Sequence, residues 1–390
     1  MIVPPPESFV SDLPTPCVAV HGRGAQAVAT FQAWQAMHAM ARTLMLIDTA
    51  RPLVAATAIA QAEAIAGWLA AQPEDVLTDI MTSVDYAAWL CRAEEAGSTG
   101  ALERGLMALP LVMVTHLGGI DGERHWQAVL PADEEVRPLG FAEALDGAGT
   151  VGIRIDAEGP RFEAHGDLIF RSRTRLPLGI ELYPTSSVRE LCRLHKVPEG
   201  GYRDADPAVA GNGLLGALSL LSEVWPDSLL DLAAFVRGVA AIETGTGSIF
   251  SASSASIPGA ILVTIRAETM PEIVAECLIH EMSHVKLDAL WAVHPLLDNG
   301  LEAIYRHPWR SDDRPMRGVL LGAHAFLNVG EMARRGSEGP HRERFAGYFA
   351  RLKDEVGAAM STLEAHARFT PAGQAVHAEM VRTFDVWFRP

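Results

Sequence analysis

The chain has 390 residues, 49% hydrophobic and 21% charged, with a formal net charge of −16. That length suits two or three domains, or one large fold with an added layer, and roughly three quarters of the extended surface can be buried without cross-links. The acidic balance argues against partners that are nucleic acids or anionic membranes. Cys17, Cys91, Cys192 and Cys277 have no paired spacing, which fits a reducing cytoplasm rather than a disulfide framework; the start, "MIVPPPESFV", lacks a signal-peptide pattern, and no apolar run is long enough for a transmembrane helix.

Residues 24–72 are rich in Ala, Gln, Leu and Met, with apolar positions recurring at three and four, which predicts two helices broken at Pro52. A third helix is expected over 77–97, ended by Gly97. From 111 to 185 the texture becomes short, β-branched and punctuated by Gly and Pro: "LPLVMVTHL", "GTVGIRIDAEG" and "GIELYP" read as strands. Helix returns over 211–242, and a Ser/Gly loop then feeds a strand at 260–265. A long helix runs from Pro271 to about Ala292, with proline at its first turn, and helices at 315–335, 341–367 and 372–386 close the chain. The expected architecture is α+β and predominantly helical. It has a helical N-terminal domain over 1–110, a strand-rich connection over 111–205 and a metal-binding domain over 206–390, whose long helix packs on a small antiparallel sheet.

The long helix contains "AECLIHEMSHVKLDALW", residues 275–291. His280 and His284 are four residues apart, so on a helix both imidazoles project from one face and can reach a single ion. Neutral imidazole suits zinc or iron. Glu281 lies about 100° round the helix, where it reaches the open side of the ion or a bound water. A third protein ligand is needed. A metzincin is excluded, because Leu287 and Leu290 stand where that pattern has Gly and His. His294 and His307 adjoin prolines; the remaining candidates are His324, inside an apolar helix, and Glu302, as in a gluzincin.

A second patch, "YRHPWRSDDRPMRGVLLGAHAF" (305–326), holds Arg306, Arg310, Arg314 and Arg317 in an otherwise acidic chain. The planar guanidinium forks carboxylates. An oxygenase that uses a 2-oxo acid needs such a clamp beside its metal, whereas a hydrolase has less use for one. A plainer role is pairing with Asp312 and Asp313.

Together the motif helix, this patch and the preceding "SSASIPGAILVT" resemble the HExxH-type 2-oxoglutarate-dependent peptide β-hydroxylases of ribosomal natural-product pathways, over residues 240–335 and more loosely over 185–390. The resemblance implies Fe(II) and 2-oxoglutarate, with a precursor peptide hydroxylated at a β-carbon. His280 and His284 then match the metal-binding histidines, with His324 as third ligand, and Glu281 matches the motif glutamate. Arg310 and Arg314 match the basic loop that takes the far carboxylate of 2-oxoglutarate. Family members are often fused to a radical-SAM domain, and this chain has no Cys-x3-Cys-x2-Cys cluster. The competing expectation is a zinc metallopeptidase with Glu281 as general base and Glu302 as third ligand. A non-catalytic peptide-binding scaffold is the third.

Overall fold

The computed structural model describes residues 23–113, 124–130, 143–146, 149–156, 159–166, 169–172, 175–183, 202–244, 248–301, 304–306, 308–309 and 312–388. The N-terminal helices are α1 (Arg23–Ala50), α2 (Ala56–Ala70), α3 (Glu74–Met81), α4 (Val84–Glu94) and α5 (Thr99–Met113). The break after α1 falls at Pro52, as expected. Two helices occupy the stretch expected to be one. Ser83 takes extended backbone angles (φ −69°, ψ 150°) and its hydroxyl accepts from the Tyr86 N–H at 3.2 Å, so it caps α4 and stops α3 from continuing. "LPLVMVTHL" is not a strand as far as Met113, since α5 runs through Pro110. Leu106, Leu109 and Val112 are buried at helical spacing, and an apolar run of this kind does not reveal its own period.

Next come β1 (Arg124–Leu130), β2 (Glu143–Asp146), β3 (Gly149–Asp156), β4 (Gly159–Gly166) and β5 (Ile169–Ser172). β1, β3 and β4 form one antiparallel sheet, and β2 pairs with β5.

The remaining elements are β6 (Glu181–Tyr183), β7 (Tyr202–Asp204), α6 (Pro207–Val224), α7 (Ser228–Phe235), β8 (Gly238–Thr244), β9 (Ser251–Ser253), β10 (Ala260–Thr264), α8 (Pro271–Val293), β11 (Ile304–Tyr305), β12 (Arg314–Pro315), α9 (Met316–Ser337), α10 (Arg342–His366) and α11 (Pro371–Val386). The helix expected through residue 242 ends at Phe235, and "GVAAIET" is strand β8. Its small apolar residues carry no clear period, and its hydrogen-bond partners are supplied from elsewhere by β6 and β10. Part of the expected Ser-rich loop is strand β9.

The fold is thus α+β and predominantly helical. The sheet beneath α8 is mixed, in the order β6-β8-β10-β9, with β6, β8 and β10 parallel. β9 pairs antiparallel with β10, and β7 with β8. Both faces of its centre are covered, as parallel strands require. Val239, Ala241, Ile261 and Val263 join the core that contains α8, while Ala240, Ile242 and Leu262 face Val84 and Ala88 of α4. Gly259 (φ +82°) makes the left-handed turn before β10.

α8 starts at Pro271 and ends before His294, whose extended angles (φ −138°, ψ 130°) are those favoured by a residue preceding proline. Two buried polar links fix its neighbours. The Asn328 amide on α9 donates to Ser283 Oγ at 2.8 Å, and Lys286 Nζ meets Asp231 of α7 at 2.7 Å with both side chains 1% exposed. No helix among the described residues is long and apolar enough to cross a membrane.

Candidate metal centre

The imidazoles of His280 and His284 converge: their Nε2 atoms lie 3.0 Å apart, with the ring planes at 90°. An ion holding two imidazole nitrogens at about 2.1 Å and at angles of about 90–110° sets them roughly 3.0–3.4 Å apart. The pair therefore has the spacing of two ligands without rearrangement. The ring of Phe326 on α9 packs at 4.7 Å from that of His280, edge to face, and restrains its rotation.

Glu281 is 3% exposed, and its two carboxylate oxygens accept from the hydroxyls of Ser251 and Ser253, each at 2.7 Å. Alternation along β9 puts both hydroxyls on the α8 side of the sheet and Ala252 on the other. Cys277 lies under the same face, and its thiol is pushed up to about 12 by burial first and then by the carboxylates of Glu276 and Glu281. It is a small, protonated core residue.

His324 on α9 is wholly buried, and among the described residues neither of its ring nitrogens meets a partner at ordinary hydrogen-bond geometry. Burial, then the charges of Lys286 and His284, hold its pKa down at about 3, against a small opposing effect of the Ser283 backbone. The ring is neutral, which is the ligand-competent form. Among the described residues, however, no three His, Cys, Asp or Glu side chains are grouped closely enough to hold a metal. The structure brings His280 and His284 together. It does not group His324 with them; Asn328, one turn further along α9, is bonded to Ser283 of α8 and clamps the two helices.

Arg310 and the alternative ligand Glu302 lie outside the described residues, as does His307. The described arginines of that patch are engaged by aspartates: Arg306 with Asp313 at 3.7 Å, Arg314 with Asp312 at 2.9 Å, and Arg317 with Asp288 at 2.9 Å. Arg317 also covers the Trp291 ring at 4.8 Å. The patch is nevertheless close to the histidines. Trp309, next to Arg310 in sequence, stacks on Phe326 at 4.2 Å, and Phe326 in turn touches His280.

No protein-family model matches the chain, and no curated protein matches it.

Several contacts around the pair are set by the tertiary structure. Trp309 Nε1 donates to Glu355 of α10 at 2.7 Å, which holds the indole against Phe326. Burial first pushes the carboxyl of Glu276, one turn before His280, above its ordinary range, with Tyr348 and Arg351 of α10 opposing this and Glu355 adding to it. The Ser-Ala-Ser alternation was the one available sign that both serines share a face. Nothing in the sequence marked Phe326, Tyr348 or Glu355.

Proposed function

We propose that the protein is an Fe(II)- and 2-oxoglutarate-dependent oxygenase that hydroxylates a β-carbon in a ribosomally made precursor peptide. The observation that carries this reading is the convergent His280–His284 pair, linked through Phe326 and Trp309 to the arginine segment. His280 and His284 have donor chemistry that fits ferrous iron, and the neutral ring of His324, which is not grouped with them among the described residues, is the third candidate. Held there with 2-oxoglutarate, iron would supply the oxidative chemistry, in which O₂ and 2-oxoglutarate give succinate and CO₂ and the second oxygen atom enters the peptide C–H bond as hydroxyl.

The chain's own residues bind and orient. Phe326 holds His280 in its ligand rotamer. Arg310 or Arg314 takes the far carboxylate of 2-oxoglutarate; Arg314 does so by exchanging Asp312 for the co-substrate. Glu281 ties α8 to β9 through its two serines. β9 is the last strand of its sheet among the described residues. The Phe250 carbonyl accepts from the Thr264 N–H at 2.8 Å, so the register turns the main-chain groups of Ser251 and Ser253 toward the outer edge, where an extended peptide can add.

The zinc peptidase reading needs Glu281 as a base facing a metal-bound water. Two serine hydroxyls on its oxygens oppose that, because they tie the carboxylate to β9 and occupy the oxygens that a base would turn toward the water. The deciding experiment is anaerobic reconstitution with Fe(II), followed by 2-oxoglutarate, O₂ and a candidate precursor peptide. Succinate with a peptide gain of about one oxygen mass supports the proposal. Peptide cleavage by the zinc-loaded protein, without succinate from the iron-loaded one, overturns it.

A further inference from the structure

A cavity of about 140 Å³ lies between α1, the junction of α3 with α4, and the second half of α8. Its walls include Trp34, His38, Met81, Leu90, Val285 and Ala292. Trp34 and His38 stack at 5.4 Å and form one flat side. The charged groups at its border are already neutralised, Arg42 by Glu94 and Asp288 by Arg317, each with a 2.9 Å contact. The cavity therefore suits an uncharged apolar group rather than an ion. An enclosed apolar space of about 150 Å³ accommodates benzene, so the size is that of one aromatic ring.

The cavity continues the stripe of α8 that carries Glu281, beside the stripe that carries His280 and His284. Val285, Asp288 and Ala292 follow Glu281 along one stripe of α8, and Ser254, Ala255 and Ser256 follow directly from β9. The helix rises about 1.5 Å per residue, so Val285 to Ala289 lie about 6–12 Å beyond Glu281. An extended peptide covers that distance in about two to four residues, at about 3.3 Å each.

We infer that this cavity is the specificity pocket for the peptide. It holds one uncharged side chain of phenylalanine or leucine size, two to four residues from the residue that is modified. The inference rests on the peptide-modifying reading above, and its test does not need the metal. Metal-free full-length protein is titrated with acetyl-Ala-Ala-Phe-Ala-Ala-amide and with the same peptide carrying Gly in place of Phe, with binding followed by ligand-observed NMR. The Phe peptide is expected to bind about thirty-fold more tightly. Ala292→Trp at the rim should abolish the difference, and so, independently, should Ala255→Trp on the exposed turn, each with an unchanged melting curve. Equal binding of the two peptides by the unaltered protein overturns the inference, whatever the variants do. So does a preference that survives both substitutions. Binding of free toluene without discrimination between the peptides assigns the cavity to a small molecule and overturns it too. Failure to form succinate in the iron assay, with the peptide preference intact, removes the oxygenase reading and leaves the pocket.

Discussion

Phe326 stands with its ring 4.7 Å from that of His280, at 65° between planes, and its other side is covered by Trp309. One aromatic side chain thus connects the motif helix to the arginine segment. Phe326→Ala frees the His280 ring. The expected outcome is a fall in Fe(II) affinity of about ten-fold, measured by anaerobic calorimetric titration, with little change in secondary structure. Unchanged affinity would show that the imidazole is held by other means.

His324 gives a test in which stability and metal affinity move apart. Its buried nitrogens meet no partner at ordinary hydrogen-bond geometry among the described residues, so His324→Leu removes poorly satisfied polar atoms and should leave metal-free stability unchanged or raised in a urea melt. If His324 completes the centre, Fe(II) affinity should drop by about a hundred-fold or more. Retained affinity would transfer the third position to another residue, with Glu302 the first to examine.

The Glu281 carboxylate depends on two donors. Ser251→Ala and Ser253→Ala each leave one oxygen of a buried acid without its hydroxyl, at an expected cost of about 1–3 kcal/mol in denaturant unfolding. The double variant should cost more than either single one. Glu281→Gln should retain iron binding and succinate formation in the oxygenase. Loss of all activity with metal still bound would instead indicate a base.

Lys286 and Asp231 form an ion pair from which water is excluded. Lys286→Met leaves Asp231 buried and unpaired, and should destabilise the fold by about 3–5 kcal/mol. The paired replacement Lys286→Met with Asp231→Leu should recover most of that. If the double variant is as unstable as the single one, the two residues act separately.

Gly330 on α9 sits directly under the Trp387 indole, where an added methyl group has no room. Gly330→Ala is expected to cost about 1–3 kcal/mol by displacing that ring, seen as a lower thermal midpoint. An unchanged midpoint would mean that the C-terminal end of the chain yields easily.

What the sequence determined by itself was whatever is local and periodic. The i, i+4 spacing places His280 and His284 on one helical face whatever surrounds them, and Pro271 and the His294–Pro295 pair bound that helix. The last three helices were legible for the same reason, since amphipathic spacing is a property of the segment alone. Elements whose hydrogen bonds come from distant residues were not legible. "GVAAIET" became a strand because β6 and β10 flank it, and "LPLVM" became helix because Leu109 and Val112 are buried in the core of the N-terminal helices. Tertiary structure alone decided that Glu281 answers to Ser251 and Ser253, and that Trp309 reaches His280 through Phe326. Such contacts join residues tens of positions apart. They depend on how whole helices and strands pack against one another, which no spacing within a segment encodes.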